Sequence, residues 1–165
     1  MYDYLLYFLI FSFLGWCAEV VFYIIRTGRL VNRGFITGPF CPIYGIGICL
    51  SYFLLGSVES FVLLSVLSMA IATIVEFSVG YIIDKGLGRR LWDYTSEKGN
   101  ILGYVCPRFS IIWGVVCASV IKFIPRLNPV TERMKTPFGY LFSFSLLTFI
   151  LIDAKCEAKT KKALR

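Results

Sequence analysis

The sequence predicts an all-α, polytopic integral membrane protein of about five transmembrane helices. Three observations carry that expectation. Apolar residues make up 58% of the 165 and charged residues only 16%, whereas a soluble domain needs about 25% charged residues to cover its core. Mean hydropathy is +0.75. The apolar residues also gather into runs divided by short basic or Gly/Pro-rich segments, the pattern required when each run crosses about 30 Å of hydrocarbon. A chain of this length then forms one membrane domain with the lipid bilayer as its solvent.

The runs are Tyr4–Ile25, Pro42–Ser57, Ser60–Ile83, Phe109–Ile124 and Phe138–Ile152, followed by a basic tail over residues 153–165. The first lacks a basic leader and a small-residue cleavage site, so it is expected to stay in place as a span. The second, fourth and fifth are short, which implies little tilt or local thinning of the bilayer. Lysine and arginine fix the expected orientation, because they concentrate on the cytoplasmic side of bilayers. With the N-terminus outside and the C-terminus cytoplasmic, thirteen of the seventeen lie inside; the other four are Lys122, Arg126, Arg133 and Lys135 in one loop.

Net charge is +7, but the cations sit between apolar runs rather than on a face interleaved with exposed aromatics, so nucleic acid is not an expected partner. The six cysteines contain no C-x-x-C pair and the chain has no histidine, which leaves no metal-binding pattern and makes the cysteines small apolar fillers. No phosphate-binding loop of the G-x-x-x-x-G-K-[ST] type is present, so any ATP must be hydrolysed by another chain. No nucleophile-and-base signature is visible either, and neither an enzyme nor a bound cofactor is expected.

Two halves of the chain resemble each other. A shift of 69 pairs Gly34 with Gly103, Phe40 with Phe109, Ile43 with Ile112, Tyr44 with Trp113 and Gly45 with Gly114, while a shift of 57 pairs Gly15 with Ala72 and Glu19 with Glu76. The expectation is a parallel repeat, units 4–57 and 60–124, related by an axis along the membrane normal, with the span 138–152 added as a fifth helix.

Glu19 and Glu76 lie inside their runs, seven and eight residues before the next charge, at roughly 10 Å depth by the helical rise. A carboxylate there costs about 2.5–3.5 kcal/mol to insert, so it must face a partner, a cavity or the bundle interior. Each sits on a stripe of small residues at helical spacing, Ser12 and Gly15 before Glu19, Ser68 and Ala72 before Glu76. Two roles remain open, a site in the cytoplasmic third of the membrane or a structural salt bridge to Arg26, Arg33 or Arg108. The linkers beside them are apolar yet full of breakers. Gly34, Gly38, Pro39 and Pro42 suit a re-entrant or unwound segment, which membrane depth tolerates only against protein or water; alternatively Pro42 and Pro107 simply start helices. Trp92, Asp93 and Tyr94 suit either the site or an interfacial anchor.

These motifs form a familiar set. Phe13-Leu14-Gly15-Trp16 with Glu19, Asn32-Arg33-Gly34-Phe35 with Gly38-Pro39, Pro42-Ile43-Tyr44-Gly45, then Trp92-Asp93-Tyr94, Asn100, Gly103, Cys106 and Trp113-Gly114 resemble the type IV ABC-transporter permease family, the CmpB family. The match spans about Phe13 to Gly114. One departure stands out, since Tyr104 occupies a position where the family often has a basic residue, with Arg108 the candidate to replace it. The resemblance implies a bacterial membrane transport component; the missing phosphate-binding loop assigns ATP hydrolysis to a separate ATPase subunit, and five spans enclose so little that a second copy or another permease chain is expected to complete a pathway. A non-transporting regulator or assembly partner is the rival reading. The candidate site residues are Glu19, Glu76, Asn32, Arg33, Gly34, Tyr44, Trp92, Asp93, Tyr94, Asn100, Arg108 and Trp113.

Overall fold

The computed structural model describes residues 1–29 and 36–163, with side chains to residue 160. The elements are α1 (Tyr2–Thr27), α2 (Pro42–Leu55), α3 (Phe61–Leu87), α4 (Pro107–Phe123), α5 (Asn128–Arg133) and α6 (Pro137–Ala163), with a 3-10 turn, Ile124–Leu127, joining α4 to α5. Glycines end the two long odd helices. Gly28 (φ 68°) and Gly88 (φ 65°) close α1 and α3 in the left-handed conformation, returning their N–H groups to Ile24 and Asp84 carbonyls, a cap that other residues adopt at a cost. Ser60 starts α3 by accepting a hydrogen bond from the Leu63 N–H at 3.4 Å, and Pro107 opens α4, where its missing N–H loses nothing.

Among the described residues, four helical stretches are long and apolar enough to cross a membrane: Tyr2–Thr27, Phe61–Leu87, Pro107–Arg133 and Pro137–Thr160. The chain is a polytopic membrane protein. The second run is different in kind, because α2 has 14 residues, about 21 Å of helix, less than the hydrocarbon core requires. Two segments are more helical than the run lengths suggest. The expected loop after Ile124 is a 3-10 turn and α5, and α6 continues past Ile152 to Ala163 because the lysines, alanines and Glu157 of that stretch are good helix formers.

The chain divides into two compact units, residues 1–45 with 128–165 and residues 46–127. In the first, Leu9, Ile36, Phe40 and Ile150 form the buried core, flanked by Leu5, Phe8, Leu146 and Ala154. Its far end is tied by polar contacts. The Tyr2 hydroxyl donates to the Met134 carbonyl at 3.1 Å, the Tyr7 hydroxyl to Asn128 Oδ1 at 2.8 Å, and Lys135 bridges Asp3 at 3.1 Å and Glu132 at 2.6 Å. In the second unit α3 packs along α4, around Leu64, Ala118 and Ile121, with Tyr52, Leu55 and Val58 against them.

Glycines permit one close backbone approach within each unit. A Cβ on Gly45 of α2 would collide with Ser12 Oγ and stand 2.5 Å from the Phe8 carbonyl oxygen; one on Gly114 of α4 would stand 2.6 Å from the Ser65 carbonyl oxygen and 2.7 Å from Met69 Cβ. Phe8 and Ser65, like Ser12 and Met69, differ by 57 positions, and the two glycines by 69. These are the shifts that align the two halves of the sequence. The outward residues of the long helices, among them Val62, Ile74 and Ile82 on α3 and Phe138, Leu141 and Leu151 on α6, are exposed and apolar, as lipid-facing surfaces are.

Candidate functional site

Glu19 projects from α1 eight residues before its last residue, Thr27, about 12 Å from the helix end by the 1.5 Å rise. The Tyr44 hydroxyl donates to its Oε1 at 2.6 Å. Two features bring Tyr44, in the first turn of α2, to this level. Gly15 has no side chain, and the Tyr44 ring occupies the space a Cβ there would need. Ahead of α2, the Cys41 N–H donates to the Ser12 carbonyl at 2.8 Å, and Ile36, Phe40 and Cys41 are buried. Since Ser12 lies near the middle of α1, the segment 36–41 is an unwound strap lying against mid-helix, and α2 begins at that level. That is why α2 can be short.

The strap is held from α6. The Gly38 N–H donates to Asp153 Oδ2 at 2.8 Å and the Thr37 hydroxyl to Glu157 Oε1 at 2.9 Å. Asp153 and Glu157 are four residues apart and so share one helix face, while a Cβ on Gly38 would come within 2.7 Å of the Phe149 ring. Neither acid was a sequence candidate. The available signal was the pair of acids at helical spacing just past the last apolar run.

In the second unit Glu76 is buried, 7% exposed, eleven residues before the last residue of α3 and so about 16 Å along the helix. The Tyr94 hydroxyl donates to its Oε1 at 2.9 Å. Tyr94 belongs to the α3–α4 loop, and its ring stacks on Phe109 in the first turn of α4, centroids 4.8 Å apart at 19°. The loop therefore folds back along α3, and α4 starts near the level of Glu76. Trp92 fills the notch left by Gly80, at 3.2 Å from the position of a Cβ, and its indole N–H donates to the Tyr104 carbonyl at 2.8 Å.

Arg90 pins the rest of the loop. Its guanidinium reaches Asp84 at 3.5 Å, Asp93 at 3.2 Å and the Leu102 carbonyl at 3.1 Å, and lies 5.0 Å above the Tyr104 ring. The Tyr104 hydroxyl donates to Asp84 Oδ2 at 2.6 Å. Asn100 organises the turn, donating to the Thr95 carbonyl at 3.2 Å and the Glu97 carbonyl at 2.8 Å and accepting from the Gly103 N–H at 3.0 Å. Asp93 Oδ1 also accepts from the Thr95 N–H at 3.0 Å, and that bond, followed by Thr95's side chain and Arg90, holds the Asp93 carboxyl below the usual carboxylate range.

The sequence candidates thus separate. Tyr44 joins Glu19 and Tyr94 joins Glu76, while Trp92, Asp93 and Asn100 build the loop that delivers Tyr94. Arg108 is 70% exposed at its side chain, bridges Glu97 at 3.6 Å and lies 5.7 Å over the Phe109 ring; the cation beside Tyr104 is Arg90, not Arg108. Arg26 lies over Phe22 at 6.0 Å. Among the described residues no lysine or arginine pairs with Glu19. Trp113 sits one turn beyond Phe109 on α4, half-buried, and the phenol on Glu76 comes from the loop instead of from the residue matched to Tyr44. Asn32, Arg33 and Gly34 lie outside the described residues. Cys41, Cys106 and Cys117 are buried, Cys17 and Cys49 are half-buried, and Cys156 is exposed on α6 and so fills no core.

What this arrangement offers chemically is two acidic stations within apolar helices. Each carboxylate accepts a phenol hydrogen bond, one from the first turn of α2 just after an irregular segment and one from within an irregular loop. No curated protein and no solved structure matches the chain. Residues 6–157 match the model of a family described as "Putative ABC-transporter type IV", and the chain belongs to that family.

Proposed function

We propose that the chain is the membrane subunit of an ABC-type transporter that works with an ATPase carried on another polypeptide, and that it has no catalytic activity of its own. Family membership supports transport. The observation that carries the mechanism is the pairing of Glu19 with Tyr44 and of Glu76 with Tyr94, each beside backbone that has left regular helix inside the membrane. Intramembrane acids are expensive and are functional-site candidates by default, and broken helices at membrane depth are how transporters expose polar groups to cargo. In this reading each phenol holds its carboxylate in place, and cargo or a proton competes for that bond. The shared crossing register of Gly45 and Gly114 supports a parallel repeat, two units built alike. A second copy or another permease chain completes the assembly. The distribution of lysine and arginine supports an external N-terminus and a cytoplasmic C-terminus.

The test is Glu19→Gln and Glu76→Gln, separately, in vesicles containing the chain and a candidate ATPase. Glutamine keeps the shape and still accepts the phenol bond but removes the charge. The expected result is normal melting with reduced coupled ATP turnover and uptake. If the acids merely hold the bundle, as a non-transporting regulator would use them, the variants melt early and activity falls only in proportion to folded protein. Stable variants with full activity would reject both readings.

A further inference from the structure

The tip of the α3–α4 loop carries two features that the glutamate stations leave unexplained. Leu102 has φ +55°, the single positive-φ residue other than glycine among those described, and it is followed by Gly103 at +75°. The Tyr104 N–H closes the turn on the Ile101 carbonyl at 3.0 Å. Positive φ at both central residues is the hand of a type I′ turn, whose first central position favours Asn, Asp or Gly and penalises a bulky side chain. Here leucine holds it, 63% exposed, beside Ile101 at 56%. The turn is not loose, because Arg90 grips the Leu102 carbonyl and Asn100 grips Gly103. The chain thus accepts backbone strain in a rigid turn to present two aliphatic side chains outward.

The level of the turn says what they meet. Tyr104 packs at Gly80 and bonds Asp84, and Arg90 follows the end of α3, so Leu102 stands at the height of the last turn of that helix. With 27 residues, α3 is about 40 Å long and exceeds the hydrocarbon core by about 10 Å. Its last turn carries Asp84 and Lys85 while its first carries Phe61, Val62 and Leu63, so the excess falls at the charged end, among lipid headgroups. Lys85 and Arg89 are exposed there and make no ion pair among the described residues. Exposed aliphatics with free cations at interfacial depth are the chemistry of an anionic lipid surface.

We propose that Ile101 and Leu102 form a wedge that inserts into an anionic phospholipid leaflet, with Lys85 and Arg89 on its headgroups. The wedge anchors the loop that carries Tyr94 and so sets the position of the Glu76 partner. This inference does not depend on the transport reading.

Nitroxide labels on Leu102→Cys and, as reference, Ser96→Cys test it, in a Cys156→Ser background with the parent's residual labelling subtracted. In nanodiscs of phosphatidylcholine with phosphatidylglycerol, the expected ratio of oxygen to water-soluble nickel-chelate collision is about tenfold higher at 102 than at 96, the partition expected for burying one aliphatic side chain. Replacing the phosphatidylglycerol with phosphatidylcholine should lower it. A label at 102 that collides with nickel as freely as that at 96 would overturn the proposal and leave the tip to a soluble partner. Low collision with both reagents would overturn it too, by showing a protein contact. An unchanged ratio without phosphatidylglycerol would overturn the headgroup assignment. Leu102→Gly, which relieves the strain at this φ, should fold at least as well as wild type, and loss of lipid-dependent loop order in that folded variant separates anchoring from stability.

Discussion

Gly114→Ala is the sharpest test of how α3 and α4 meet. The added methyl would sit 2.6 Å from the Ser65 carbonyl oxygen and 2.7 Å from Met69 Cβ, where ordinary contact begins at 3.4 Å. One obstacle is helix backbone, so rotamer changes cannot make room, and the helices must part by the missing 0.7–0.8 Å. Overpacking of this kind costs about 1–3 kcal/mol, offset by the roughly 0.5–1 kcal/mol that alanine gains over glycine inside a helix. The net expectation is a loss of roughly 1 kcal/mol, between bounds of about 0 and 2.5 kcal/mol. Gly47→Ala is the control, because a Cβ there meets nothing within 4 Å and only the propensity gain of about 0.5–1 kcal/mol remains. Thermal melting of both variants in one detergent, at roughly 2–4 °C per kcal/mol for a chain of this size, should therefore move in opposite directions. A Gly114→Ala protein that melts with or above Gly47→Ala would refute the close crossing, and the common register with Gly45 would lose its meaning.

Asp153→Asn keeps the side chain's size but weakens a charge-assisted bond to the Gly38 N–H, worth about 1.5–3 kcal/mol; amide exchange at Gly38 should quicken while exchange within α3 stays unchanged. Unaltered exchange at Gly38 would mean that α6 does not hold the strap. A phosphatase reporter that functions only outside the cytoplasm, fused after Arg165, should be inactive, and activity would reverse the proposed orientation.

The long spans were legible because their signals are redundant. The apolar run, the glycine that stops it and the basic residues beyond it all agree near Thr27 and near Leu87. Run length also exposed α2 as short. It could not show where α2 starts, since that depends on a tertiary bond from Cys41 to Ser12. The same limit explains the phenol on Glu76. A shift of 57 upstream and 69 downstream implies twelve residues inserted between the matched glutamate and the matched glycine, and Tyr94 lies in that longer linker. The shift of 69 pairs Tyr44 with Trp113, which has no hydroxyl, whereas the extra loop is long enough to fold back and supply one from Tyr94. The extension of α6 was missed for another reason: hydropathy ends at Ile152, but helix propensity does not.

The two stations reach one chemical end by different mechanical routes, and the difference has consequences. Tyr44 rides on α2 itself, immediately after a strap whose Gly38 and Thr37 are held by Asp153 and Glu157. Displacing the polar end of α6 must therefore strain those two bonds first, and the strap passes the displacement through Phe40 and Cys41 to the first turn of α2. Tyr94 is set instead by bonds within its own loop, from Arg90, Asn100 and Trp92, so its position follows that loop and the surface on which the loop rests. A force on the end of α6 thus acts on the Glu19 pair, and a change at the loop tip acts on the Glu76 pair. Two acids that look equivalent along the sequence are accordingly held by separate parts of the chain, so a perturbation of one need not reach the other.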